Sequence, residues 1–514
     1  MTQGTGDMMG GPDDGGPGTV SDDGGPDRVR WIFAGQLGSL FDDGGGRMLL
    51  IEARSVFGRR PMHRAKAHLL LSGIRHRAAE LGDRVEFHQV DTYSAVVDGR
   101  DDLDVIDPTS YSARRYVRRL GARVLPSRGF VTSESDFALW AGSRGGKRLL
   151  LEDFYRSVRQ RTGILMEGET PAGGQWNYDV SNRERPPRGA VTLGLPDPWW
   201  PEEDEIDAGV REDLDRWQAD GLVQLVGLDA PRRFAVTERE ANLALDSFIE
   251  SRLNDFGPFE DATLTNDWTM AHSLLSAPLN LGLLDPLAVV TRVADEYEAG
   301  RAPLASVEGF VRQVMGWRDY VWHLYWHLGE DYRGSHNALG AKETLPREFT
   351  ELDATTITAN CLHHSIDGLR QHGWAHHIQR LMVIGNWALQ RGYDPVALND
   401  WFTDMFVDGT PWVMPANVIG MSQHADGGIV ATKPYSSGGA YINTMTDYCG
   451  GCRYNPRVRL GPDACPFTAG YWAFLDRTEP VLAPNFRMKQ PLAGLRRLAD
   501  RGAVVAQERE REGL

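Results

Sequence analysis

The sequence predicts two architectures in one chain: an α/β unit on a parallel sheet, followed by a unit built of helices. Three observations carry this. Up to about residue 150, short apolar runs alternate with stretches of 3–4-residue hydrophobic spacing, the pattern of βαβ units. From about 238 onward the helical period dominates and strand-like runs are almost absent. Between them, 156–237 is rich in Gly, Pro and Arg and reads as a long ordered linker. With 514 residues the chain is too long for one domain. The expected division is a Gly/Asp-rich disordered tail over 1–28, an α/β domain over 29–155, the linker 156–237 and a helical domain over 238–514.

The elements follow in order. Apolar runs at 29–34, 47–52, 84–90 and 123–125 predict strands. Ala67, Leu70, Leu71, Ile74, Ala78 and Leu81 recur at helical spacing and predict a helix over 63–81, with another near 111–120. In the second half, helices are expected over 239–255, 286–298, 305–328, 365–391 and 395–407. No internal repeat is present.

Composition narrows the function. Hydrophobic residues make up 41% and charged residues 25%, an ordinary globular mixture. There is no apolar run of membrane-spanning length, and the first residues lack the basic and apolar regions of a signal peptide. A cytoplasmic protein with no membrane partner is expected. The formal charge of −16 weighs against nucleic acid, but residues 1–27 hold six Asp and no Lys or Arg. Basic clusters at Arg59–Arg60–Arg64–Lys66 and Arg114–Arg115–Arg118–Arg119 leave room for a basic face.

All four cysteines fall in the helical half: Cys361, Cys449, Cys452 and Cys465. Disulfides do not suit a cytoplasmic chain. Structural zinc favours two close Cys pairs; here one CxxC joins two singles, with Cys361 88 positions before Cys449. Iron–sulfur clusters accept thiolates from separated segments, and Cys465-Pro466 suits a last ligand. The set admits zinc and favours a [4Fe–4S] cluster.

Further patterns are local. Ser273 and Ser276 precede an apolar stretch containing Asn280, where hydroxyls and free N–H groups would suit a pyrophosphate or simply cap a helix. Gln313-Val-Met-Gly-Trp-Arg318-Asp-Tyr, His376-His377-Ile-Gln-Arg380-Leu-Met, Asp408-Gly409 and the Gly420–Gly428 loop lie further along the chain.

Together these motifs resemble the photolyase/cryptochrome superfamily, and the order and spacing of the cysteines resemble its iron–sulfur bacterial branch, the prokaryotic (6-4) photolyase-like proteins. The likeness runs from about 29 to the end. It implies a Rossmann-like antenna domain and an all-α domain that binds FAD and carries the cluster. By position, it places Ser273 and Ser276 at the flavin diphosphate and Asn280, Gln313 and Arg318 around the flavin. Arg380 and Asp408 become a buried pair against the isoalloxazine, Trp401 an electron-relay position and Tyr441 a contact to the flipped lesion. His377, with His376 beside it, matches the histidine that supplies a proton in (6-4) repair, a task suited to imidazole near neutral pH. The implied activity is light-driven repair of (6-4) photoproducts in UV-damaged DNA by a monomer, with Arg183, Arg185 and Arg188 available to phosphates. A ribityllumazine antenna and Mg²⁺ complete the implied set. The alternative is a cryptochrome-like photoreceptor with the same cofactors.

The chain departs from the pattern at several points. Phe402 stands where relatives often have Tyr, 345–360 lacks the usual Trp, and Met414 replaces a polar group near flavin N5. The Arg-rich 53–61 segment lacks the second acidic residue of the antenna site.

Overall fold

The computed structural model describes residues 28–511; all but one residue of the expected tail lies outside them. Five parallel strands form the N-terminal sheet: β1 (Val29–Ile32), β2 (Arg47–Ala53), β3 (Val85–Val90), β4 (Leu103–Ile106) and β5 (Arg123–Leu125). Their order is β3-β2-β1-β4-β5. This doubly wound order reverses between β1 and β4, so a crevice opens beyond their C-terminal ends.

Strand β4 escaped the sequence reading. Its four residues are all buried, but Asp104 interrupts the apolar run, a residue strands normally avoid. Arg28 and Arg123 pair with its carboxylate and make the position tolerable. The expected helix over 63–81 is Arg64–Leu81, with the His63 side chain accepting the Ala65 N–H at its start. The expected 365–391 helix is broken. Asn360–His372 ends at Gly373, whose φ of 61° is left-handed, and the chain resumes helically only at His377, running into the π-helical segment from Gln379.

The helical half meets the sheet at the crevice. Leu37 and Gly38 donate their N–H groups to the carbonyls of Leu281 and Gly282 at 3.0 Å. A Cβ on Gly38 would lie 2.3 Å from the Gly282 oxygen, so only glycine permits this crossing. Deeper in, Lys66 from the Arg64–Leu81 helix is buried and donates its ammonium to the carbonyls of Thr403 and Gly409.

The linker is held by buried charge. Arg232 donates to Asp207 at 3.0 and 3.1 Å and to Glu240 at 2.7 and 3.2 Å, and all three side chains are under 10% exposed. Asp207 belongs to the helix Glu205–Ala219 and Glu240 to Glu238–Ser251, so one guanidinium ties the linker to the first helix of the helical half. Replacing Arg232 with Met should cost about 3–5 kcal/mol, because two carboxylates would stay buried without a counter-charge. A lowered urea midpoint, with Arg239→Met at an exposed position as reference, checks this.

Candidate functional site

A cavity of about 370 Å³ lies in the helical half. Three π-helical segments help to line it: Arg312–Arg318, Gln379–Gly385 and Ala416–Ser422. Each adds a residue to its turn and swings side chains inward, a device common at functional sites. Opposite them, the segment 272–276 passes through Leu274, which lines the cavity at a left-handed φ of 56°. For a γ-branched residue that conformation costs on the order of 1 kcal/mol.

Nine of the positions named from the sequence line this one cavity: Ser273, Ser276, Asn280, Gln313, Arg318, His376, His377, Arg380 and Asp408. At its centre Arg380 grips Asp408 with two bonds of 2.8 and 3.0 Å. Ser276 donates its hydroxyl to the same carboxylate at 2.7 Å, and the Asn280 amide donates to the Asp408 carbonyl at 3.0 Å. Burial would raise the Asp408 pKa, but Arg380 and Ser276 outweigh it and hold the carboxyl below its usual range.

Arg318 differs. It donates to the carbonyls of Gly129 and Leu279, its Nε is buried without a partner, and it forms no ion pair among the described residues. Burial lowers its pKa to about 10. An unpaired buried guanidinium facing a cavity calls for an anionic occupant.

The two histidines occupy different settings. His376 is buried, its Nε2 lies 2.9 Å from the Glu260 carbonyl, its Nδ1 faces the Ile378 N–H, and its ring stacks on His272 at 3.9 Å. His377 is exposed at the mouth. Restricted hydration inside the concave mouth lowers its pKa, while Asp261 opposes the shift. Burial raises the Asp261 pKa, and the Tyr441 hydroxyl donates to that carboxylate at 3.3 Å. Tyr441 therefore stands at the rim rather than in the lining. Trp401 also lies outside the lining, behind Phe402, which does line it.

Sequence reasoning missed Asp261 and Glu260. Both sit in an irregular stretch with no periodicity to mark them. Glu260 lines the cavity, receives the Gln313 amide, and has a pKa raised by burial to about 7.

The four cysteines come together in a second recess. Cys361 starts the helix Asn360–His372, Cys449 and Cys452 flank a tight turn, and Cys465 precedes the helix Pro466–Leu482. None of the four is paired in a disulfide. No three of their sulfurs lie within 4.8 Å of one another.

Residues 32–223 match the model of the deoxyribodipyrimidine photo-lyase-related protein family. Over 459 residues the chain is 40% identical to the (6-4) photolyase of Agrobacterium fabrum strain C58, covering 85% of this chain and 88% of that protein. The chain belongs to the photolyase/cryptochrome family. Two solved structures share its fold. One is a bacterial class III photolyase from Agrobacterium tumefaciens, with a TM-score of 0.52 at 20% identity, covering 81% of this chain and 83% of that one. The other is the Synechocystis sp. PCC6803 cryptochrome, with a TM-score of 0.51 at 14% identity and coverage of 77% and 82%. Membership implies FAD, and no helix among the described residues is long and apolar enough to cross a membrane.

Acid should unfold the protein through its buried neutral histidines. Burial depresses the His272 pKa from 6.5 to about 3. The unfolded chain then takes up a proton that the folded protein refuses, so stability falls as pH drops below 6.5 and keeps falling toward 3. The depressed Asp408 carboxyl acts in the same direction at lower pH. Thermal melts from about pH 7 to about pH 5 should show this loss, with the slope reduced by about one proton in His272→Phe.

Proposed function

We propose that this protein repairs (6-4) pyrimidine photoproducts in UV-damaged DNA, using light and reduced FAD. The observation that carries the reading is His377, standing with Asp261 and Tyr441 at the mouth of a cavity whose interior suits a flavin. A cryptochrome-like photoreceptor would need no titratable group at that mouth.

The residues present fit FAD. The walls are largely apolar with a few converging polar groups, as cofactor sites are. Arg318 lacks an anionic partner that a diphosphate or a reduced flavin ring would supply. Ser273 lines the same cavity and offers a further polar contact, and Ser276 and Asn280 act through Asp408, steadying the Arg380 guanidinium against one face. Bound there and reduced, FAD supplies the electron that light delivers to the lesion.

The protein's own part is proton handling and positioning. His377 and Asp261 have opposed pKa shifts and face each other electrostatically, so the pair shares one transferable proton at the place a flipped lesion would enter. His377 delivers that proton between the two pyrimidines, and Tyr441 holds Asp261. His376, with both ring nitrogens engaged, is a positioning residue that anchors the backbone of His377. Arg183, Arg185 and Arg188, all exposed on the linker, supply phosphate contacts.

The four cysteines fit a [4Fe–4S] cluster better than zinc. A tetrahedral zinc with bonds of about 2.3 Å would draw its sulfurs to roughly 3.8 Å, closer than this recess sets them, whereas a four-iron cube holds its thiolates wider apart. The cluster would cross-link the 449–465 loop to the Asn360–His372 helix. The antenna implied by the resemblance would meet Gln36 and Glu52, and both side chains already hold partners within the N-terminal domain. Glu52 is engaged by Arg75 at 2.8 Å twice, and Gln36 by the Ile106 carbonyl and the Phe33 N–H. We assign no ligand set to Mg²⁺.

Repair of a single (6-4) lesion in an oligonucleotide under blue light should be abolished in His377→Ala while FAD content is unchanged. In Cys361→Ser the iron content should drop and the protein should become less stable. No light-dependent repair by protein shown to hold FAD would leave the photoreceptor reading in its place.

A further inference from the structure

Trp401, the relay position implied by resemblance, is walled in by phenylalanines. Its ring neighbours are Phe402 at 5.0 Å, Phe349 at 5.2 Å and Phe406 at 5.8 Å between centroids. A phenyl ring is far harder to oxidise than an indole, so this wall does not pass an electron vacancy outward from the cavity.

A different row of rings does. Trp374 lines the cavity. Trp268 stands 5.6 Å from it, and Trp200 a further 5.7 Å on, stacked at 22°. Trp374 is buried, whereas Trp268 and Trp200 are half-buried. The row therefore runs from the cavity wall to water, in steps short enough for hopping between indoles.

Local charge favours this row. A vacancy on an indole is a positive charge, so neighbouring cations oppose it. The guanidinium nearest Trp374 is Arg380 at 5.7 Å, and Asp408 neutralises it. His372 stacks on Trp268 at 4.3 Å, and burial lowers its pKa to about 4, so the ring pressed against Trp268 is neutral at neutral pH. Arg233 lies 5.0 Å from Trp200, but at the half-buried outer end where water screens it. The competing row Trp412–Trp322–Trp326 has steps of 5.6 and 5.3 Å. It begins at the cavity wall 5.3 Å from Arg318, which has no ion-pair partner among the described residues, whereas the Arg114 guanidinium 3.4 Å above its last ring is neutralised by Asp107 and Glu134, so the charge that disfavours this row is the one at its inner end.

We propose that Trp374, Trp268 and Trp200 form the relay through which light reduces the flavin. The inference rests on the FAD reading above. One electron leaves Trp374 for the light-excited flavin, and the vacancy passes through Trp268 to Trp200. There the oxidised indole gives its N–H proton to water. An external thiol returns one electron and one proton to the ring, and two such oxidised thiols join as a disulfide. Trp200 belongs to the linker, so the linker supplies the outer terminus of the path.

The test uses the full chain with FAD content measured by visible absorbance before illumination. In Trp268→Phe, flavin bleaching under blue light with a thiol should slow by about tenfold or more, and the tryptophanyl-radical absorption after a laser flash should decay by rapid recombination. Trp268→Tyr, which keeps an oxidisable ring, should restore much of both signals. Trp200→Phe should shorten the radical lifetime without changing FAD content. Full FAD occupancy with wild-type bleaching and radical lifetime in Trp268→Phe would overturn the relay and leave the FAD reading standing. Loss of both signals in Trp322→Phe instead would assign the path to the competing row. Purified protein that takes up no FAD would overturn the cofactor reading itself.

Discussion

Asp408 is a carboxylate sealed inside the protein, and the surroundings of the cavity are arranged to keep it ionised. Arg380 meets it with both terminal nitrogens, Ser276 adds a hydroxyl, and Lys66 from the other domain grips the chain on either side of it, at Thr403 in the preceding helix Pro395–Met405 and at Gly409. Removing Arg380 would strand the buried charge, a heavier loss than the bonds themselves, whereas removing the Ser276 hydroxyl would leave the ion pair in place. The constraint reaches outward. It fixes the short helix Ser276–Asn280, which runs directly into the Leu281–Gly282 backbone that the N-terminal domain hydrogen-bonds. The depth of the cavity and the seating of the two domains thus depend on the same carboxylate.

The fold class was legible because it rests on periodicity. Strand runs and helical spacing survive in a single sequence, and the N-terminal helix begins and ends within a residue of expectation. Strand β4 was not legible, because Asp104 is made acceptable only by Arg28 and Arg123, which lie far away in sequence. The break after His372 was hidden for a related reason. Hydrophobic spacing continues across Gly373, and only the left-handed φ shows that the helix stops. The π-helical segments leave no trace in spacing at all, although they aim many of the side chains that line the cavity.

The site was legible as a set of residues and much less as an arrangement. Nine positions named from motifs share one cavity, yet Ser276 and Asn280 turn toward Asp408, and Trp401 is shut behind Phe402. Motifs record which residue types recur. They do not record which neighbour consumes each hydrogen bond. Asp261 shows the converse: no pattern marks it, and its importance comes only from standing between His377 and Tyr441.

That geometry separates two demands that would interfere if they shared a location. The proposed proton transfer needs a group open to the substrate, and His377 is the exposed member of its pair. Electron supply needs rings whose environment does not change charge as protons move, and Trp374 lies against an arginine already neutralised by Asp408. Between the two in the chain stands His376, buried, fully engaged and stacked on His272, with burial holding its pKa well below the usual value. Because burial keeps both stacked rings neutral in the working range, a proton taken up or lost at the mouth is not passed inward through them. The buried pair therefore confines proton exchange to the mouth.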